Sequence, residues 1–407
     1  MTVVEHETNP APTRAELLAS VPGFVAKTAV GAARREQERE LPFAAFNRIR
    51  ALRLGTLRVP VVLGGPGGSV SDYIAMIAAI AVGDPNVAHA LRSHFNYVEN
   101  TILTPVADRH PDAIARILAG QLFGGAHTEQ GTARPGQVTT RLSRQGDGWR
   151  LNGRKWYATG TAFADYASFS ALDDDGQPTG VLIPVDRKGL SILDDWDGMG
   201  QRLTASGGVV FDDVEVFPGE IIRRRLDGPV GRHCSTLRQL HLAACAAGAL
   251  RDVLGSGVDY VRGQARSAQH SMAETAAADP FVQQVIGEMS TASFAVDAAI
   301  TVAAQRLDDS VTAFSTGDAH AIEAALIASS LATSRTQLLL AQLGPRAAER
   351  LFDLGGGSTT SRELNFDRHW RNIRTVLSHN PLLHKARVVG DYLINGTTTH
   401  LREGRVF

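Results

Sequence analysis

Cysteine is almost missing from this chain. Only Cys234 and Cys245 occur in 407 residues, too few for a disulfide framework or a zinc-finger spacing. Lysine is scarce too: Lys27, Lys155, Lys188 and Lys385 are the four, and arginine supplies the other strong bases, a bias we read as genome composition. Neither sign of charge dominates. Lys+Arg number 41 and Asp+Glu 42, a net charge of -1, which argues against a protein built to hold a nucleic-acid backbone. No stretch reaches the roughly 18 apolar residues of a membrane span, and Met1 to Pro12 is polar, without a signal-peptide core. The expectation is a soluble, cytoplasmic protein with no nucleic-acid or membrane partner. Alternating βαβ units are lacking, which argues against a Rossmann sheet. The Gly355-Gly356-Gly357 cluster lacks the Gly-Lys-Ser/Thr ending of a phosphate loop.

What is there suits a folded protein. Hydrophobic residues make up 43% and charged residues 20%, enough apolar material for large cores and a length suggesting two or three domains. Arg14 to Glu40 reads as helical. Ser71-Asp72 offers a cap for a helix whose Ile74, Ile77, Ile80 and Ala81 share one face. Asp84-Pro85 breaks it, a further helix carries His89 and His94, and a short one covers Asp112 to Leu122. After Gly124 the pattern turns to strands. Val138 to Arg144 alternates, Gln145 to Gly148 is a turn, and Asn152-Gly153 predicts a hairpin between Trp149–Leu151 and Arg154–Ala158. Tyr166–Leu172, Thr179–Pro184 and Val209–Asp212 read as further strands. From about Ser235 long helices return: Leu237 to Val261, a second through Val282, Met289 and Ile300, Ala319 to Leu343 stopped by Gly344-Pro345, and Pro381 to Ile394. They make a four-helix set. The expected division is 1–122 helical, 123–232 β and 233–407 helical bundle.

Three stretches carry more than pattern. Asp195 to Gly207 includes Trp196, Gly198, Gly200, Arg202 and Ser206. Phe366 to Thr375, with Arg368, Trp370, Arg371 and Asn372, is closed by Leu377-Ser378-His379-Asn380-Pro381. Gly390 to Gly396 follows near the end. With the order helices, β domain, helices, these resemble the acyl-CoA dehydrogenase superfamily over nearly the whole chain. More narrowly they resemble its flavin-dependent monooxygenase branch, which includes dibenzothiophene monooxygenase and indole-hydroxylating relatives. The implied fold class is α+β: an N-terminal helical domain, a middle β-barrel domain and a C-terminal four-helix bundle enclosing a flavin.

The resemblance implies roles residue by residue. Thr128-Glu129-Gln130-Gly131 is similar to the family's Thr-Glu-Pro-Gly loop, so Thr128 and Gly131 are placed at the flavin; a Gly-containing loop lets backbone donors approach a ring edge. Lys155 to Gly160 resembles the Lys-x-Trp-x-Thr-Asn segment, and Tyr157 and Thr159 take the ring-contact positions. A period-2 strand would put both on one face. Trp196 and Ser206 are further candidate flavin contacts. Arg266 matches an arginine that reaches the flavin phosphate, often of a neighbouring subunit, and arginine suits phosphate through forked, charge-assisted bonds. Asp353-Leu354-Gly355-Gly356 stands where FAD enzymes carry Gln-x-Gly-Gly, with Ser358-Thr359 where the branch often has arginine, so FMN and FAD both stay open.

A dehydrogenase of this family needs a carboxylate to take the substrate's α-proton. Its usual C-terminal segment is replaced here by Ser378-His379-Asn380-Pro381, and Leu237 to Val253 holds no glutamate but His241. A histidine suits oxygen chemistry. The reduced flavin forms a C4a-peroxide with O2, and an imidazole near pH 7 can give or take its proton. His379 is the first catalytic candidate, with Thr159 beside the flavin's reactive edge and His94 on the substrate side; His89 and His241 read mainly as core or surface residues. No metal is implied. The resemblance thus implies a two-component monooxygenase using reduced flavin (FMNH2 or FADH2) and O2 to hydroxylate an aromatic or heteroaromatic small molecule. A separate NAD(P)H:flavin reductase would supply the flavin, and a homotetramer is expected. An acyl-CoA dehydrogenase with a relocated base and a non-catalytic oligomeric scaffold are the alternatives.

Overall fold

The computed structural model describes residues 11–134, 136–222 and 228–402; of the polar segment read at the N-terminus, residues 1–10 lie outside them. The expected helix from Arg14 to Glu40 is two, α1 (Arg14–Ala29) and α2 (Ala32–Glu38). They are separated at Gly31, which takes φ +72. After α3 (Phe43–Ala51), α4 (Val70–Gly83) carries Ile74, Ile77, Ile80 and Ala81 buried, as their spacing requires. Its cap is Ser69 rather than Ser71. Ser69 Oγ accepts from Asp72 N–H at 3.0 Å, and the Asp72 carboxylate accepts from Ser69 N–H at 2.7 Å. The Ser71 hydroxyl donates instead to Asp308. Asp84 ends α4 and caps α5 (Pro85–Ala90), accepting from Asn86 N–H at 3.0 Å. Leu91 then separates α5 from α6 (Arg92–Leu103), so His89 and His94 sit on two helices, not one. The last helix of this section, α7, covers only Ala113–Leu118.

The β section has β1 (Phe123–Ala126), β2 (Arg141–Gln145), β3 (Gly148–Lys155), β4 (Tyr166–Leu172), β5 (Pro178–Pro184), β6 (Leu190–Ile192), β7 (Val209–Val216) and β8 (Ile221–Ile222). They pair in the order β6-β7-β3-β2-β4-β5-β8, and β1 lies parallel along the first half of β4. Asn152-Gly153 does not turn the chain. It is a register shift within β3, against β7, and the tight turn is at Gly146-Asp147, where Gln145 pairs with Gly148. A Cβ on Gly153 would lie 2.7 Å from Thr140 Oγ1, so glycine here serves close approach and a bulge. The sheet curls tightly. Phe169 on β4 and Phe211 on β7 touch with ring centroids 4.8 Å apart, although three ladder steps of about 4.8 Å would separate them in a flat sheet.

The third section begins inside the expected β domain, with α8 (Gly228–Gly263), followed by α9 (Pro280–Thr316), α10 (Ala319–Arg350), α11 (Asp367–Leu377), α12 (Leu382–Asn395) and α13 (Thr399–Arg402). Gly344-Pro345 does not stop α10. Proline removes one backbone donor, but α10 packs on α8, α9 and α11 and holds its course to Arg350, with Gly344 close against Ile373. The fourth bundle member is α11, which packs on both α8 and α10; α12 packs on α10. By length and composition α9 could cross a membrane, yet its inner stripe of Val285, Met289, Val296, Ile300 and Leu307 is buried in the bundle. The first and third sections share one hydrophobic core, from Leu17 through Ile77 to Leu250 and Ile373. The β section has its own core. The seam where these cores meet, bridged in part by a smaller cluster of Val98, Phe123 and Leu182, is the natural place for a site.

Candidate active site

The loop after β1 and the segment after β3 are tied together. Trp156 N–H donates to Thr128 O at 2.8 Å. Glu129 braces the loop from beneath: its carboxylate accepts from Thr139 N–H at 2.8 Å, from Thr140 Oγ1 at 2.8 Å, and from buried Lys155. Burial pushes the Glu129 carboxyl up, but these partners outweigh it and hold its pKa at about 2. Thr128 and Gly131 themselves stay exposed, Gly131 at φ +75. A rigid base thus displays the backbone edge that was expected to meet a ring.

Past Lys155 the strand ends, and the period-2 expectation fails with it. Tyr157 takes φ +59, a left-handed turn that sends its ring outward, 50% exposed, while Thr159 is 5% exposed. The two do not share a face. Tyr157 stands edge-on to Trp196, with centroids 6.1 Å apart.

Thr159 belongs to a chain of hydroxyls. Thr204 Oγ1 donates to Gln201 O at 2.8 Å. Each hydroxyl has one proton, so Ser206 must donate to Thr204 across 2.6 Å and Thr159 to Ser206 across 2.8 Å. Thr159 is left with lone pairs only. Reduced flavin carries a ring N–H where oxidised flavin has a bare nitrogen, so this acceptor and the aromatic pair above fit the reduced cofactor. Gly160 presses this segment onto the α5–α6 junction; a Cβ there would lie 2.1 Å from Ala90 O.

Beyond that junction lies a group the sequence reading undervalued. His89 Nδ1 meets Gln201 Oε1 at 3.1 Å. That oxygen only accepts, so Nδ1 carries the proton, and the bare Nε2 is buried without a partner. Gln201 N–H in turn donates to Asn372 Oδ1 at 2.6 Å, linking α5 to α11. His379 follows α11 and repeats the arrangement, with Nδ1 3.0 Å from Asn380 Oδ1 and a free Nε2. Behind it is a narrow crevice lined by Leu242, Ala243, Gln337 and Leu377.

Both rings are neutral at pH 7. Burial, then the charge of Arg92, pushes His89 down to about 3. His379 is open to solvent at the mouth, and water offsets part of its enclosure by protein. That enclosure, with Arg92 and Arg238, still lowers its pKa below the ordinary value. The expectation that the ring gives or takes a proton is therefore narrowed to taking one: His379 offers a lone pair at Nε2 rather than an imidazolium proton. His94 is corrected also. Its Nε2 meets Gly55 O at 3.0 Å and its Nδ1 accepts from Phe123 N–H at 3.3 Å, so no ring nitrogen is left for a substrate. His241 is buried between Tyr73 and Ala88 O, as expected of a core residue.

Arg266 is exposed in the loop after α8, with no ion pair among the described residues. Gly355 has a packing reason, since a Cβ there would lie 2.3 Å from the Tyr260 hydroxyl. Asp252, an acid on α8, has its pKa raised to about 6 by burial. It pairs with His369 at 3.4 Å and Arg368 at 3.7 Å, and the charges acting on it are not those around His379. His89, Arg92, Arg238 and Gln201 were missed as site residues. Gln201 lies within Asp195–Gly207 and Arg92 two residues before His94, but the break at Leu91 that turns the two histidines apart has no signature in the sequence.

Fold and site together define a flavoprotein of acyl-CoA dehydrogenase architecture. The acyl-CoA dehydrogenase middle-domain family matches residues 125–214, and the C-terminal-domain family residues 240–382. A probable FMNH2-dependent monooxygenase, SfnC of Pseudomonas putida, is 29% identical, over 92% of each chain. Dibenzothiophene monooxygenase of Rhodococcus erythropolis is 26% identical, again over 92% of each. FMN-bound TdsC from Paenibacillus sp. A11-2 superposes with a TM-score of 0.82 at 24% identity, over 94% of this chain and 98% of that one. The chain belongs to the acyl-CoA dehydrogenase superfamily, in its flavin-dependent monooxygenase branch.

Proposed function

We propose that the chain is the oxygenase component of a two-component system that hydroxylates a small aromatic or heteroaromatic molecule. A separate NAD(P)H:flavin reductase supplies reduced flavin by diffusion. The observation that carries this reading is the constellation around His379: neutral histidines and arginines stand where an α-proton-abstracting carboxylate would be needed. Reduced flavin, when bound, supplies two electrons to O2, so that one oxygen enters the substrate and the other leaves as water.

The chain's own residues do the rest. Thr159 accepts a ring N–H. His379, fixed through Asn380, accepts a proton at Nε2, and His89 offers a second acceptor within the same field. Tyr157 and Trp196 form an aromatic rim that excludes water. Arg266 takes the cofactor phosphate of a neighbouring subunit in a homotetramer. Exposed aromatic side chains on α9 support that assembly: Phe281 is 77% and Phe294 76% exposed in the single chain, and large apolar groups left exposed are what interfaces cover. The division at 122/123, with the last section beginning at α8, and a cytoplasmic location complete the reading.

The test supplies FMN, a flavin reductase, NADH and 18O2 with a panel of indole- and thiophene-type compounds. One 18O atom per product supports the proposal. Anaerobic bleaching of bound flavin by an acyl-CoA, without oxygenated product, would replace it with the dehydrogenase alternative.

A further inference from the structure

Two arginines share one side of the site without a counter-ion among the described residues. Arg92 begins α6. Arg238, on α8 opposite, donates from Nη1 to Asn96 Oδ1 at 3.0 Å. Asn96 lies one turn after Arg92, so both guanidinium groups lie at one helix face. Both side chains are half-buried, and Arg92 Nε is sealed from solvent with no acceptor. Neither arginine pairs with a carboxylate among the described residues. Glu99, the acid on α6, is already taken by Arg58 and His233. Several half-buried arginines elsewhere are paired with a carboxylate: Arg35 with Asp84, Arg232 with Glu323, Arg371 with Glu36. The pair also acts on itself. Burial, then the like charge of Arg238, pushes Arg92 down to about 10. Both charges reach His379, so they border the reacting position. Two close positive charges left unneutralised inside a protein are unfavourable, and forked guanidinium groups match anions that present two oxygens.

We propose that Arg92 and Arg238 bind an oxyanion of the substrate, a carboxylate, sulfinate or sulfonate seated between α6 and α8, with the remainder of the molecule directed towards His379. This rests on the oxygenase reading and narrows it from neutral aromatic compounds to acidic ones.

The test is calorimetric titration of the full chain with benzoate, benzenesulfinate and the neutral benzamide, with and without photoreduced FMN under anaerobic conditions. At least one anion should bind about tenfold or more tighter than benzamide and raise the melting temperature. Arg92→Met and Arg238→Met should each weaken that anion about 10–100-fold, as loss of a charge-assisted bond does. Arg92→Lys should fall between. Reduced-FMN affinity should stay within about twofold, and the melting temperatures of the variants should hold or rise, because an unpaired charge is removed. Equal binding of anions and benzamide, or anion affinity unchanged in both variants, would overturn the proposal. Parallel loss of anion and reduced FMN would assign the pair to the flavin instead and also overturn it. The two anions separate carboxylate from sulfur oxyanion recognition. Preserved anion preference without 18O incorporation would leave this site standing and remove the oxygenase reading alone.

Discussion

His379 keeps a lone pair, not a proton, at its free nitrogen, and this sets how its removal reads out. His379→Ala should fold and bind reduced FMN, since Thr159 and the Thr128 loop lie on other elements. Oxygen should then escape as H2O2, with product per flavin oxidised falling about 10²–10⁴-fold, the range for a lost proton-handling group. The depressed pKa adds a sign: the ring stays neutral through physiological pH, so coupling in the wild-type enzyme should not titrate near pH 6.5. A coupling profile with a step there, abolished in the variant, would restore the imidazolium role. Thr159 is tested by Thr159→Val, which removes the acceptor but keeps the shape. Reduced-FMN affinity should weaken about 2–10-fold, the worth of one hydrogen bond, and oxidised-FMN affinity should change less; anaerobic fluorescence titration measures both.

At the scale of elements, two joints hold the site in place. Gly160 at φ +76 lets the segment after β3 rest on the α5–α6 junction. Gly160→Ala should destabilise by about 2–4 kcal/mol, from a left-handed conformation and a clash with Ala90 O, and should shift His89 away from Gln201. Denaturant unfolding gives the first quantity, and reduced-FMN titration reads the second as lost affinity. The other joint is Glu99, fully buried between Arg58, at 2.8 and 2.9 Å, and His233, at 3.1 Å, with His233 also bonded to Ser310. It ties α6 to α8 and α9. Burial pushes its carboxyl up, but Arg58 and His233 outweigh that and hold it at about 2. Since this lies below the ordinary 4.5, the joint stabilises fully above about pH 4.5 and weakens as pH falls towards 2. Glu99→Gln should cost about 3–5 kcal/mol at pH 7, because it leaves Arg58 buried and uncompensated, and less at pH 3. An equal loss at both pH values would show that the carboxylate charge is not what matters.

The two largest cores are one shared by the first and last sections and one in the β section, with the site where they meet. The molecule also presents exposed Phe281 and Phe294 on α9. Phe294→Glu should leave the single-chain fold intact, because Phe294 is 76% exposed, and should convert a tetramer to smaller species by light scattering. If Arg266 serves a neighbouring subunit, the same variant should weaken flavin binding. Unchanged mass at micromolar concentration would move the interface elsewhere.

Much of the fold was legible because it rests on local pattern. The apolar stripe of α4, the strands from Tyr166 to Pro184 and the long helices follow from periodicity alone, and the resemblance carried by Asp195–Gly207 and Phe366–Pro381 gave the family. Local signals misled where packing overrode them. Asn152-Gly153 reads as a turn in any short window, but the neighbouring strand makes it a bulge. Pro345 reads as a stop, but three helices hold α10 through it. In the site, the sequence determined the chemistry available: hydroxyls, histidines and no carboxylate in the base segment. Only the tertiary structure decided which of them act together. A one-residue break at Leu91 gives His94 to the core and His89 to the site, and the approach of α6 to α8 sets two arginines, 146 positions apart in sequence, beside the same histidine. Burial and charge pairing depend on what surrounds a side chain in space, and that is fixed only when the two cores close on each other.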